Sequence, residues 1–444
     1  MNKNDVIDLT VTGISSDGNG VGKHDDIAVF VPFSAVGDEL RVRLLKVMKS
    51  AAYGKIERIV KPSPDREEND CPVFGKCGGC DFRHISYEAE LKAKEGFIRD
   101  AFTRIGGLSP EFQPIIKSGD TAGYRNKARY PVGRDAGGGA VYGFYAARSH
   151  RIIPCDNCRL QPHIFKSVAD FIIGYMRENK LPPYDETAHT GVIRHICVRK
   201  GHYGGQINVT VVVRRKVPEL NKLSRKIAEK FPAVNGVVIN VNPARGNAVL
   251  GGEEITLVGE PDITDTIRGV KITVSPRSFY QVNTPAAENL YEVIRDFAEP
   301  DNKVILDLYC GTGAIGLSLA DKAKEVIGVE SVESAVNNAV LSARMNSFAN
   351  ARFICSDAAD FPREIRPDAV IIDPARKGCA LKVLESAAAL LPERVVMVSC
   401  NPATAARDCA RLAEMGYKTV KVRGCDMFPR TRHAECAALL VRDW

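Results

Sequence analysis

Between Val6 and Val60 apolar and polar residues alternate in short runs broken by glycine: VIDLTVTGIS, DIAVFVPF, ELRVRLLKV and YGKIERIV. Alternation with a period of two, in runs separated by turn residues, predicts a small antiparallel barrel over residues 5–60. KPSPDREENDCP then has the composition of a linker. A cysteine-rich knot at 71–80 leads into a helical stretch, SYEAELKAKEGFIRDAFTRIG. Residues 120–275 hold strand-like runs, GGQINVTVVVRR and VNGVVINVN, with the helix VPELNKLSRKIAEKF between them. From about residue 276 the rhythm becomes strand–helix–strand. The strands are KVILDLYC, EVIGVES, ARFICSD, DAVIIDPAR and RVVMVSCNP. Units of this size in alternation predict an open, mostly parallel α/β sheet. The chain therefore divides into a barrel over 1–62, a central α+β region over 63–275, and a Rossmann-like α/β region over 276–444.

A length of 444 residues suits two or three domains. With 45% hydrophobic and 26% charged residues, the composition is that of an ordinary globular protein. The start MNKNDVIDLTVTG lacks the pattern of a signal peptide, and no apolar run is long enough to span a bilayer. A cytoplasmic location, a monomer and no membrane partner are the expectations. Thirteen cysteines, an odd number, argue against a disulfide framework and for metal or thiol chemistry. The net charge of +7 is mild. Its distribution is less so: Arg41, Arg43, Lys46, Lys49, Lys55, Arg58 and Lys61 crowd one early segment. That run is either a solvated face or a surface that meets phosphates.

VILDLYCGTGAIGLSLA places Gly311, Gly313 and Gly316 between a strand and a helix, in the spacing G-x-G-x-x-G. Glycines there let the backbone turn tightly and approach a ligand. Glu330 ends the next strand, where a carboxylate can accept from two ribose hydroxyls. Asp357 follows the third strand and Asp373 ends the fourth, at the carboxyl edge where open α/β sheets bind ligands. A nicotinamide dinucleotide fits the glycines alone. The opening acid Asp307, in Asp-x-x-Cys-Gly-Thr-Gly, looks instead like motif I of S-adenosylmethionine methyltransferases.

CPVFGKCGGC spaces Cys71, Cys77 and Cys80 as C-x5-C-x2-C, and IIPCDNCRLQ offers Cys155 and Cys158. Thiolates so close, with glycines to bend the chain, suit an iron–sulfur cluster or zinc. The spacing is not the C-x3-C-x2-C of radical S-adenosylmethionine enzymes. A further cysteine, Cys400, stands at the tip of the strand VVMVSCNPAT, where Asn401-Pro402 ends the strand and sets a turn. A thiolate there faces the edge that carries the glycine loop. Cys310, Cys355, Cys379, Cys409, Cys425 and Cys436 lack such a setting and read as packing residues.

The knot, SFYQVN, DLYCGTG, DPAR, SCNPAT and RHAEC occur in this order. Together they resemble the RNA uracil-5-methyltransferases, most closely the 23S ribosomal RNA branch with an N-terminal TRAM barrel of OB-like form and a [4Fe-4S] cluster. The resemblance covers nearly the whole chain. It implies S-adenosylmethionine as cofactor, with Gln281, Tyr309, Gly311, Gly313, Glu330, Asp357 and Asp373 around it. It implies Cys71, Cys77, Cys80 and Cys158 as cluster ligands, leaving Cys155 extra. It implies Cys400 as the nucleophile toward carbon 6 of uracil and Glu435 as the base that removes the carbon-5 proton, with His433 nearby as an alternative. One departure is Ala314, where some members carry Asn. The substrate expected is a 23S rRNA uridine; a transfer RNA T-loop uridine and, from another class, an iron–sulfur dinucleotide oxidoreductase are the alternatives.

Overall fold

The computed structural model describes residues 1–135, 137–362 and 364–443. Residues 6–61 form a six-stranded, mostly antiparallel sheet. Its alternation is that of the sequence: Ile7, Leu9, Val29, Val31, Leu40, Val42 and Leu44 point inward to one core. A backbone bond from Thr12 N to Val21 O, 2.8 Å, draws the end of the first strand onto the third and curls the sheet.

The middle of the chain builds a seven-stranded sheet whose central strands are Lys127–Arg134, Ile193–Lys200, Ile207–Val213 and Val234–Val241. Helices His163–Glu178 and Glu219–Lys230 cover one face of it and share a core with it. The latter helix is the crossover that lets Ile207–Val213 and Val234–Val241 run parallel.

The third sheet has eight strands. Across it lie Ala351–Cys355, Glu325–Glu330, Val304–Leu308, Ala369–Ile372, Arg394–Ser399, Glu435–Arg442, Tyr417–Cys425 and Glu111–Ile116. The first five run parallel. Glu435–Arg442 runs antiparallel to both its neighbours. Apolar cores fill both faces, as a sheet covered by helices on each side requires. Strand order reverses beside Val304–Leu308, which makes its carboxyl end the switch point where such sheets bind ligands. Two segments outside 276–444 belong to this body. Strand Glu111–Ile116 pairs with Tyr417–Cys425 at the far edge. The hairpin of Ile263–Ile267 and Val270–Val274 packs into the core beneath helix Thr284–Ala298.

The helical stretch after the knot is regular over Tyr87–Asp100, with Ser86 capping it through Ala89 N. It then widens into a π-helical turn, Ala101–Ile105. Asn401-Pro402 likewise does more than end a strand. Asn401 Oδ1 accepts from Ala403 N at 3.2 Å and Pro402 opens helix Pro402–Glu414, so the expected turn is a helix cap.

A buried carboxylate ties the N-terminal sheet to the rest. Asp38, fully buried, accepts from Ala35 N, Ser63 N and, at 2.8 and 2.7 Å, from Nε and Nη2 of Arg66. Burial pushes Asp38 up, but these bonds outweigh it and hold the carboxyl below its ordinary value of 3.8. Its share of stability is therefore present at neutral pH and fades as pH falls through the lowered value. Arg66→Met should destabilise the chain by about 1–3 kcal/mol at pH 7, because it strands a buried charge. In thermal unfolding, the gap between variant and wild type should narrow below about pH 4; a gap constant with pH would refute the ion-pair account.

Candidate active site

The edge formed by the carboxyl ends of the parallel strands is where most of the predicted residues meet. Asp307 is fully buried; its Oδ2 accepts from Gly316 N at 3.0 Å, so it holds the glycine loop, while Oδ1 is buried without a partner. Burial, then Asp373 and Glu330, push Asp307 up to about 8 against the Gly316 bond. Tyr309 stands at φ 64°, a left-handed conformation that costs a non-glycine residue energy and marks a constrained tip. Gly311 (φ 55°) and Gly313 (φ 77°) follow. A Cβ on Gly313 would lie 2.8 Å from the Phe353 ring, so that position also needs glycine for space. Glu330 ends its strand as expected and accepts from Gly311 N at 3.1 Å and Val332 N at 2.9 Å. Asp357 is exposed and closes its own turn through Ala359 N. Gln281 is buried, and its carbonyl accepts from Asn126 Nδ2 at 2.7 Å. Ser278, three residues before it, accepts from Asn338 Nδ2 at 2.8 Å, which seats this segment on the helix that follows Glu330.

Cys400 and Glu435 meet through register. Ser399 lies opposite Cys436 in an antiparallel pair. The residue after Ser399 therefore faces the residue before Cys436. Glu435 is 3% exposed. Burial, then Asp373, push its carboxyl well up, and Arg376 opposes them. Asp373 is itself pushed up to about 6 by burial. The Cys400 thiol is raised by burial and by Glu435, while a hydrogen bond and the charge of Arg376 pull it back. Arg376 Nη2 also donates to His433 Nδ1 at 3.0 Å. Burial and the cations Arg376 and Arg432 push His433 down to about 4, which leaves it a neutral acceptor. The capping end of helix Pro402–Glu414 fixes Arg376 in turn: Asn401 Nδ2 and Thr404 Oγ1 donate to the Arg376 carbonyl. Arg376 sits in the DPAR segment, where its only sequence signal is its place three residues after Asp373.

Cys400, Arg376 and His433 open into a cleft of about 420 Å³. Its far walls are Ser15 to Asp17 from the N-terminal sheet and Asp100 and Arg104 from the π-helical turn region. A base-sized ligand fits there, against the thiol.

The second cysteine group lies elsewhere. Cys71, Cys77, Cys80, Cys155 and Cys158 line one cavity of about 40 Å³. Burial raises the Cys77 thiol and pushes Cys80 up to about 11, while a hydrogen bond from Cys155 pulls Cys158 down to about 6. Arg83 and Arg125 also line the cavity, and Arg83 Nη2 and Arg125 Nε are buried without a protein partner. Among the described residues, no three His, Cys, Asp or Glu side chains converge closely enough to hold one metal ion.

Sequence and fold comparisons agree with this geometry. The model of the tRNA (uracil-5-)-methyltransferase family matches residues 86–443, and that of the TRAM domain matches residues 2–56. The chain belongs to the tRNA (uracil-5-)-methyltransferase family. It is by that membership an S-adenosylmethionine-dependent RNA methyltransferase with an N-terminal TRAM domain. An uncharacterized RNA methyltransferase of Halalkalibacterium halodurans is 40% identical over 99% of this chain and 98% of its own length. One of Clostridium tetani is 38% identical over 99% and 97%. The solved structure of the Pyrococcus abyssi tRNA (uracil-54, C5)-methyltransferase in complex with S-adenosyl-L-homocysteine covers 98% of this chain and 100% of its own, with TM-score 0.78 and 25% identity. Among the described residues no helix is long and apolar enough to cross a membrane.

Within this family fold, Gly313 gives a direct test of the glycine loop as cofactor site. Gly313→Ala puts a Cβ against Phe353 in a left-handed conformation. It should weaken S-adenosylhomocysteine binding at least about tenfold by calorimetry, since such strain costs on the order of 1–3 kcal/mol; unchanged affinity would place the cofactor away from this loop.

Proposed function

We propose that this chain methylates carbon 5 of a uridine in 23S ribosomal RNA, with Cys400 as nucleophile and Glu435 as base. The observation that carries the chemistry is a half-buried thiol that lines a base-sized cleft and stands, across one antiparallel pair, beside a buried carboxyl. S-adenosylmethionine, when bound, supplies an electrophilic methyl group; Asp307, Tyr309, Gly311, Gly313, Glu330, Asp357, Asp373 and Gln281 are the residues proposed to hold it. The chain's own work is on the base. Carbon 5 of uracil is a weak nucleophile. The Cys400 thiolate adds to carbon 6 and raises electron density at carbon 5, which is covalent catalysis. Arg376, bonded to the thiol, favours its ionised form. After carbon 5 carries the methyl group, Glu435 takes its proton and the carbon–sulfur electron pair returns to Cys400. Reaching carbon 6 needs a base turned out of its stack, which costs least in an RNA loop.

The order of motifs supports the 23S rRNA reading. The full-length likeness to a tRNA (uracil-54, C5)-methyltransferase favours a transfer RNA T-loop uridine as the second reading. Mapping 5-methyluridine in rRNA and tRNA from a deletion strain separates the two.

Cys71, Cys77, Cys80 and Cys158 are proposed to hold a [4Fe-4S] cluster. Its four thiolates bind four different irons, so three ligands need not converge on one ion. Arg83 and Arg125, with unpartnered buried nitrogens in the same cavity, suit a group of net negative charge. Anaerobically purified protein should carry about four irons per chain. Cys158→Ser should lose them and Cys155→Ser should keep them; stoichiometric zinc would refute the cluster.

Cys400→Ala should abolish methylation with cofactor affinity nearly intact. Glu435→Gln should trap a methylated protein–RNA adduct that survives denaturing electrophoresis; turnover at the wild-type rate would move the base elsewhere. Both Cys400 and Glu435 are raised above their ordinary values and act deprotonated, so methylation should quicken as pH rises from 6 toward about 9. A flat profile at saturating RNA would contradict these roles.

A further inference from the structure

Helix Tyr87–Asp100 carries a buried charge in its middle. Lys94 and Glu90, one turn apart, are both at 0% exposure, and Asp426 is at 1%. Lys94 Nζ donates to Glu90 Oε1 at 2.7 Å, to Asp426 Oδ1 at 2.7 Å and to the Phe428 carbonyl at 3.1 Å. An ammonium has three donors, and all three are used. The two carboxylates pass the constraint on. Asp426 Oδ1 accepts from Phe428 N at 3.2 Å, and its Oδ2 from the Tyr87 hydroxyl at 2.8 Å. Glu90 Oε1 accepts from Arg430 N at 2.7 Å.

These bonds end on one segment. Residues 426–434 have no helix or strand of their own, and connect Tyr417–Cys425 to Glu435–Arg442. Arg430 stands at φ 68°, its guanidinium donates to the Ile85 carbonyl at 2.9 Å, and its own carbonyl accepts from Asp81 N and Phe82 N. Two residues on, Arg432 N donates to Asp81 Oδ2 at 3.0 Å. His433 and Glu435 follow directly.

A buried ion group is poor support for stability, because desolvation cancels most of the attraction and apolar residues of like volume serve as well. What this one supplies is direction: it fixes backbone groups of a loop that lacks a ladder. We propose that Lys94 is a positioning residue, holding the 426–434 loop so that His433 and Glu435 stand correctly against Cys400. This rests on the reading of Cys400 and Glu435 given above.

The test uses the full chain with Lys94→Met and the neutralised pair Lys94→Met/Asp426→Asn. Misplacement of a catalytic group by about 1 Å costs on the order of 100-fold. Lys94→Met should lower kcat by about that factor, with S-adenosylhomocysteine affinity within about threefold and KM for RNA no higher than in the wild type. It should also accumulate the methylated covalent adduct, because Cys400 keeps its place while the base loses its own. The double variant removes opposite charges together, so Tm should return toward wild type while kcat stays low. Recovery of kcat along with Tm would reduce Lys94 to a structural residue and overturn the proposal, as would wild-type turnover in Lys94→Met. Should Lys94→Met fail to fold, a folded double variant at full kcat would overturn it equally. An active wild type with no adduct in either variant refutes the positioning role alone; a wild type that methylates no uridine refutes the function beneath it.

Discussion

The site depends on one antiparallel pairing in an otherwise parallel neighbourhood. Parallel strands all bring their carboxyl ends to the same edge, so a residue just before a strand could never meet a residue just after one. Glu435–Arg442 reverses direction beside Arg394–Ser399 and brings its beginning to that edge. A thiol that follows one strand and a carboxyl that opens the other thus become neighbours without any loop having to be precise.

That closeness has an electrostatic cost that the surroundings distribute. Asp307, Asp373 and Glu435 are all raised by burial in the same region. Three ionised carboxylates there would repel strongly in a medium of low polarisability. Arg376 is the cation that counters Glu435 on the thiol side, and its carbonyl is clamped by the start of the next helix. Strain at Tyr309 and unpaired Oδ1 at Asp307 sit on the same edge, and such features persist only where the surrounding structure over-determines them.

Much of this edge was legible because its signals are local. A strand, a glycine loop and an acid nineteen residues on (Gly311 to Glu330) can be read in order, and the fold brings Glu330 onto Gly311 N. The cysteine spacing similarly announced a shared cavity. What escaped was set by long-range packing. Glu111–Ile116 falls inside the 63–275 region assigned to the middle of the chain, but its partner lies some three hundred residues away, at Lys421–Cys425. No local pattern in the helix marks Lys94 as buried; only the loop folded over it makes it so. The arginines beside the cysteines carry no local pattern at all. Asn401-Pro402 predicts a strand end and a turn, but the same pair also caps a helix, and only the following residues decide which.

The position of Glu435–Arg442 in the sheet also bears on how the chain reaches this fold. It lies between Arg394–Ser399 and Tyr417–Cys425, yet it follows both in the chain. Until it is inserted, the sheet is two pieces with unpaired inner edges lined by Val395, Val396 and Val398 on one side and Val422 on the other. Exposed apolar edges of that kind invite pairing with other chains. The strand that lies between those two edges is also the one that brings Glu435 to Cys400, so a single insertion both closes the apolar edges and completes the candidate site.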